Sequence, residues 1–230
     1  MPCILRVKRR KSASSEAYWQ EFDITPGQAD TVASILAGLA ARNPLTDREG
    51  NITTPISFEK GCGEAKCGAC AMVINGKPGL ACKTFLRDLG NIVTLEPLSK
   101  FPVVTDLIVD RTVIFENLKK MRAYLKERSD CKVSDEIYQS ARCMLCGCCM
   151  EICPNYDGKY SFVGAAEAVF TYRLLKLESD SSHRHEMESA YLDSYYSKCG
   201  ESLSCETVCP AGIPVNKILA KANFMCLVKK

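Results

Sequence analysis

The chain has 230 residues, 47% of them hydrophobic, and a formal net charge of +3. That length admits one large domain or two small ones, and the hydrophobic content is ordinary for a globular protein. So small a positive charge gives no basis for a nucleic-acid partner, which leaves the fifteen cysteines as the extreme feature of the composition.

Many cysteines can mean a secreted disulfide scaffold. Against that stand an odd count, tight C-x2-C groups and the lack of a secretory-leader pattern. The apolar run from Val32 to Ala41 is too short to cross a bilayer. The expectation is therefore a chain without a membrane span, in a reducing compartment, whose cysteines hold metal.

In chain order, residues 3–9 and 18–24 alternate and are rich in strand formers, which predicts an opening hairpin. Arg6, Lys8, Arg9, Arg10 and Lys11 make a basic patch near its turn, expected to be solvated. Asp30 or Thr31 is placed to cap a helix whose Val32, Ile35, Leu36, Leu39 and Ala40 share a face, and Asn43-Pro44 ends it.

Next comes Cys62-x4-Cys67-x2-Cys70-x11-Cys82, the plant-type spacing for a [2Fe–2S] cluster. Gly61, Gly63 and Gly68 would let the backbone approach sulfur closely and aim amide N–H groups at it. A strand over 71–74, a tight Asn75-Gly76 turn and a return strand over 80–85 would carry Cys82 back to the same site. A strand over 92–95 closes this half. A zinc ribbon would need two C-x2-C pairs, and this group has one.

Pro97 and Pro102 bracket the expected boundary between a domain over 1–100 and another over 101–230. Beyond it the pattern turns helical, with Leu107, Ile108, Phe115, Leu118, Met121 and Leu125 at helix-like spacing. Helices are expected over 134–141, 165–177, 186–196 and 215–227. The polar stretch 178–188 reads as a surface loop holding His183 and His185 in solvent.

Two related cysteine runs lie within this half. Cys143-x2-Cys146-x2-Cys149-x3-Cys153-Pro154 is the bacterial ferredoxin run, which gives three thiolates to one cubane and the fourth to another cluster. A thinner copy, Cys199-x5-Cys205-x3-Cys209-Pro210, repeats the final spacing but has Ser202 where a middle cysteine is expected. The copies can exchange ligands. Cys143, Cys146, Cys149 and Cys209 would then hold a [4Fe–4S] cluster, and Cys153, Cys199 and Cys205 a three-iron [3Fe–4S] cluster. Cys3, Cys131, Cys148 and Cys226 are left over and read as small apolar residues.

The chain resembles the iron–sulfur subunits of the succinate dehydrogenase/fumarate reductase family. The resemblance rests on the Gly-Cys-Gly-Glu-Ala-Lys-Cys-Gly-Ala-Cys loop from Gly61, the Ile-Asn-Gly-Lys-Pro-Gly-Leu-Ala-Cys hairpin, the segment from Pro97 to Arg111, the cubane run, and Cys205-x3-Cys209-Pro-Ala-Gly-Ile-Pro. It implies an α+β chain, with a β-grasp [2Fe–2S] ferredoxin-like domain followed by an all-α helical ferredoxin-like domain. It also implies two partners. One is a flavoprotein subunit carrying covalent FAD and the dicarboxylate site, the other a membrane-anchor subunit carrying quinone and often haem. The chain would relay single electrons in the order flavin, [2Fe–2S], [4Fe–4S], [3Fe–4S], quinone, peripherally on the cytoplasmic side of a bacterial membrane.

In ubiquinone-linked members of the family, a Trp shortly after the cubane run and a His after the first distal Cys help to form the quinone pocket. This chain has Pro154-Asn155-Tyr156-Asp157-Gly158 and Gly200 at those places, which is closer to menaquinone-linked bacterial members. No dicarboxylate site, flavin motif or nucleotide loop is read, so no catalytic residue is assigned to the chain. Two competing readings are a two-cubane carrier of the heterodisulfide-reductase or glycolate-oxidase type and a zinc-binding interaction module. Ser202 argues against the first, and metal content discriminates the second.

Overall fold

The computed structural model describes residues 2–130, 132–158 and 161–228, so Cys131 lies outside the described residues. The chain is α+β and divides into two compact units, the first running to Asp110 and the second starting at Arg111.

The first unit is built on β1 (Cys3–Arg9) and β2 (Tyr18–Ile24), which form with the bounds expected from their alternation. They pair antiparallel, and β1 also pairs parallel with β7 (Ile92–Glu96). The hairpin of β5 (Ala71–Ile74) and β6 (Lys77–Leu80) completes a five-stranded sheet in the order β2-β1-β7-β5-β6. Between these hairpins lie α1 (Val32–Ala40) and the short β3 (Leu45–Thr46) and β4 (Ile52–Thr53). Thr31 caps α1 in a reciprocal arrangement with Ser34, each side chain bonding the other's backbone N–H. The helix buries Val32, Leu36 and Leu39 beside Leu5, Val7, Met72, Leu80, Val93 and Leu95 in the core. Removing such side chains from water is the main stabilising term, about 1.5–3 kcal/mol for each large one.

Three expectations for this unit need correction. The return strand is β6, which ends at Leu80, so Cys82 lies in the turn beyond it and not on a strand. The shift follows from Asn75 and Gly76, both at positive φ, which close a two-residue turn and start the return strand at once. Leu107 and Ile108 do not belong to a helix. A small hairpin of β8 (Val103–Thr105) and β9 (Ile108–Val109) occupies this stretch, and α2 runs only over Thr112–Lys120.

The third correction concerns the basic patch. Arg9 follows the inward register of Cys3, Leu5 and Val7 and is 2% exposed. Its guanidinium meets Asp106, Gln20 and the backbone around Thr54. Arg6 and Lys8, on the opposite face of β1, pair with Glu21 and Glu96.

The second unit is helical, with α3 (Asp135–Ala141), α4 (Cys148–Ile152), α5 (Ala165–Leu177), α6 (Ser181–Ser194), α7 (Ser204–Thr207) and α8 (Val215–Val228) following α2. α5 is buried over most of its circumference and is packed by α2, α3, α4, α6 and α8. The small side chains of Ala165, Ala166 and Ala168 at its start allow α4 to approach closely. Helix α6 overturns the expected loop. Asp180 accepts a bond from His183 N as its N-cap, and the helix buries His183, Met187 and Tyr191. His183 is therefore not solvated. Its Nε2 lies 3.0 Å from Tyr124 O, and its ring meets that of Tyr124 at 4.3 Å, tilted by 31°.

Candidate metal centres

The first cysteine group occupies the loop leading into β5 and the turn after β6. Cys70 immediately precedes β5, and the hairpin returns the chain so that Ala81 N donates to Cys70 O at 3.1 Å. Cys82 N then donates to Cys70 Sγ at 3.4 Å. At the other end of the loop, Cys62 N donates to Cys67 Sγ, and Glu64 N and Lys66 N donate to Cys62 Sγ at 3.3 and 3.2 Å. Amide groups aimed at one atom form a nest that favours negative charge on it. These bonds bring the Cys62 thiol down to about 7, whereas burial pushes Cys70 up to about 11.

The loop is tight because sulfur sits against backbone. A Cβ on Gly61 would stand 2.6 Å from Cys67 Sγ, and Ala65 adopts a left-handed φ of 56° so that the adjacent amides turn inward. Cys67, Cys70 and Cys82 line a cavity of about 370 Å³ together with Phe58 and the side of α1. The first turn of α1 is bonded to the Cys82 turn, Val32 N to Thr84 O and Ala33 N to Ala81 O.

In the second unit, Cys143 and Cys146 precede α4, and Cys149 lies on it. Leu145 and Gly147 have positive φ, which coils this segment around one point. The downstream Cys209 lies within electrostatic reach of Cys143 and Cys148. Burial pushes Cys143 up to about 12 and drives Cys149 well above the ordinary thiol range. Cys146 is brought down to about 7, first by a hydrogen bond from the Cys148 thiol and also by the Arg111 cation. Arg111 thus faces Cys146 and Cys148, and Arg173 faces Cys143, which supplies positive charge where thiolates would collect.

The third group draws on both runs. Cys153 ends α4 and lines a cavity of about 280 Å³ with Cys199 and Cys205 from the downstream run. Cys205 feels the charges of Cys153 and Cys199, and burial raises it to about 11. Glu201 and Leu203 are both left-handed, at φ 50° and 59°. Ser202 lines the same cavity, with its Oγ 2.9 Å from Ser204 Oγ. Beside it, a Cβ on Gly200 would meet Asn155 Oδ1 at 2.8 Å, so Asn155 fills the space that a side chain there would need. Cys149 also feels Cys205, which makes the second and third groups neighbours.

Among the described residues, no three Cys, His, Asp or Glu side chains close up as they would around a single metal ion. The sulfurs form three groups, each inside a loop of left-handed residues. All-thiolate donors are soft ligands that suit iron–sulfur clusters, and the inward amides and the Gly61 cradle fit them as well. Cys3, Cys148 and Cys226 are buried. Sequence reasoning missed the left-handed Ala65, Leu145, Glu201 and Leu203 in these loops, the fully buried Glu167 on α5 and the hydroxyl of Tyr195 beside Cys199. The available signal for Glu167 was a charged residue within the run of small apolar residues that opens α5.

Two family models match the chain, a 2Fe-2S iron-sulfur cluster binding domain over residues 4–116 and a 4Fe-4S dicluster domain over residues 139–213. The chain is 34% identical over 228 residues to the succinate dehydrogenase iron-sulfur subunit of Bacillus subtilis (strain 168), covering 94% of this chain and 89% of that one. It is 29% identical over 227 residues to the fumarate reductase iron-sulfur subunit of Wolinella succinogenes, with 91% and 90% covered. A chain of the Mycobacterium smegmatis Sdh1 complex in the apo form shares its fold, with a TM-score of 0.77 and 22% identity over 100% of this chain and 97% of that one.

Proposed function

Because the chain belongs to the family of succinate dehydrogenase and fumarate reductase iron–sulfur subunits, we propose that it holds three clusters as the electron relay of such a complex. The partners are a flavoprotein subunit and a membrane-anchor subunit. Among the described residues no helix is long and apolar enough to cross a membrane. The chain is read as attached peripherally through those partners, on the cytoplasmic face, as the family resemblance implies. The first unit is read as a β-grasp ferredoxin-like domain and the second as a helical ferredoxin-like domain.

The observation that carries the assignment is the crossed grouping, with Cys209 among the upstream cysteines and Cys153 among the downstream ones. On this reading Cys62, Cys67, Cys70 and Cys82 hold a [2Fe–2S] cluster. Cys143, Cys146, Cys149 and Cys209 hold a [4Fe–4S] cluster, and Cys153, Cys199 and Cys205 a [3Fe–4S] cluster. Bound clusters supply one-electron sites, which suits splitting a two-electron dicarboxylate oxidation or reduction into single transfers. The residues of this chain set the conditions for that traffic. The amides of Glu64 and Lys66 stabilise negative charge at Cys62, and Arg111 and Arg173 do so around the second group. Phe162, Tyr195 and Leu219 wall the third. Residues 154–158 hold no Trp and Gly200 stands where a His would follow the first distal Cys, which supports a menaquinone-linked complex.

The test is iron, zinc and acid-labile sulfide on anaerobically purified protein, with electron paramagnetic resonance on the same sample. About nine irons per chain and an oxidised three-iron signal are expected. About ten irons without that signal would move the assignment to a two-cubane carrier, and zinc in place of iron would remove electron transfer. Ser202→Cys supplies the missing thiol inside the third cavity. It is expected to add about one iron per chain and to abolish the oxidised three-iron signal. Unchanged iron and an unchanged signal would show that position 202 does not reach the cluster.

A further inference from the structure

Tyr195 closes the second unit against the loop that carries Cys199. It is 2% exposed, and its ring stacks on Phe162 at 5.6 Å and meets Tyr191 at 5.2 Å. Its carbonyl oxygen accepts from Lys198 N at 3.1 Å and from Cys199 N at 3.0 Å, so the loop is folded back onto the residue's own backbone. The side chain returns to the same place, and with Cys199 as a thiol, Sγ donates to Tyr195 Oη at 3.4 Å. The neighbouring phenol differs, because Tyr191 donates to Asn223 Oδ1 at 2.7 Å. Among the described residues, the Tyr195 hydroxyl has the sulfur as its hydrogen-bond partner.

A cysteine that ligates iron has no proton to give. The direction of this bond must then reverse, with a buried hydroxyl donating to an anionic sulfur. We propose that Tyr195 donates its O–H to Cys199 Sγ and thereby tunes the three-iron site, holding its potential higher than the cysteines alone would. This rests on the reading that Cys199 is a cluster ligand. The physical reason is that a donor to a ligating sulfur withdraws electron density and stabilises the state with one more electron. A phenol keeps its proton at neutral pH, so the donor is present. Tyr195 is thus a positioning residue that acts through Cys199.

The experiment is potentiometric titration of the oxidised three-iron signal in the assembled complex, for the unaltered chain, Tyr195→Phe and Tyr191→Phe. Tyr195→Phe keeps the ring and loses the donor. Its iron content is expected to be unchanged, and its three-iron equilibrium to shift about tenfold toward the oxidised form, ~59 mV for one electron. The other two sites should not move, and Tyr191→Phe should leave the third where it is. Intact iron with an unmoved potential in Tyr195→Phe would overturn the proposal alone. Lack of a three-iron signal in the unaltered chain would overturn the ligand reading and the proposal together. If Tyr195→Phe fails to assemble, chain grown with fluorinated tyrosine keeps the ring and strengthens the donor. The potential must then rise, and no rise overturns the proposal.

Discussion

Arg9→Met is expected to destabilise the first unit by about 3–5 kcal/mol, the effect of removing one partner from a buried ion pair. Arg9 Nε donates to Asp106 Oδ1 at 2.9 Å, Nη1 to Gln20 Oε1 at 2.7 Å, and Nη2 to Thr54 O, Thr54 Oγ1 and Pro55 O at 3.2 Å each. Asp106 also accepts from Arg10 N at 3.0 Å and Ser57 N at 2.9 Å. The pair therefore ties β1, β2, the segment after β4 and the turn between β8 and β9 to one point. Methionine fills the space of the side-chain stem but leaves a carboxylate that is 4% exposed without its cation.

Thermal unfolding followed by circular dichroism measures this, and a unit of this size should lose well over 10 °C. Asp106→Asn should cost less, because asparagine keeps one oxygen acceptor and tolerates the left-handed φ of 42° found there. The double variant should recover part of the single loss. Strict additivity of the two would show that the pair is not coupled.

The same residue marks where sequence reasoning stops. The alternation of β1 was legible, and so were β2, α1 with its Thr31 cap, and α5. Alternation also placed position 9 inward, while its charge argued for solvent. The partner that decides between them, Asp106, lies 97 residues downstream and carries no local signal. Helix α6 was hidden for a related reason. Its buried stripe of His183, Met187 and Tyr191 opens on a histidine, and the surrounding Ser, Arg and Glu residues blur its apolar face. The candidate metal sites are read in a different way, from three short cysteine spacings that limit which sulfurs can converge. The amides, the left-handed Ala65, Leu145, Glu201 and Leu203, and the neighbours Tyr195 and Glu167 have no such encoding. They belong to packing, which only the folded chain shows.

Glu167→Gln should remove the pH dependence that this packing imposes. Glu167 is the third residue of α5, where the helix dipole favours an anion by a fraction of a kcal/mol at exposed sites. Here the residue is fully buried, and desolvation outweighs that preference. Asn117 Nδ2 donates to Oε1 at 3.0 Å, while Oε2 has no hydrogen-bond partner among the described residues. Burial raises the carboxyl from 4.5 to about 8, the Asn117 bond lowering it only in part. Thiolate character at Cys143 and Cys149, which both feel Glu167, would push in the same direction.

Between about pH 4.5 and 8 the folded chain therefore holds a proton that the unfolded chain has released, so this residue makes stability fall as pH rises through that window and level off above it. At about 1.4 kcal/mol per pH unit, the fall amounts to about 4–5 kcal/mol. Glutamine has the same shape, keeps an acceptor for Asn117 and cannot ionise. The variant should match the parent near pH 4, exceed it by several kcal/mol near pH 9, and show a flat profile between. Urea unfolding of both proteins at five or six pH values decides the matter. Parallel profiles would mean that Glu167 is ionised in the folded chain at neutral pH, with its charge met by a group other than Asn117.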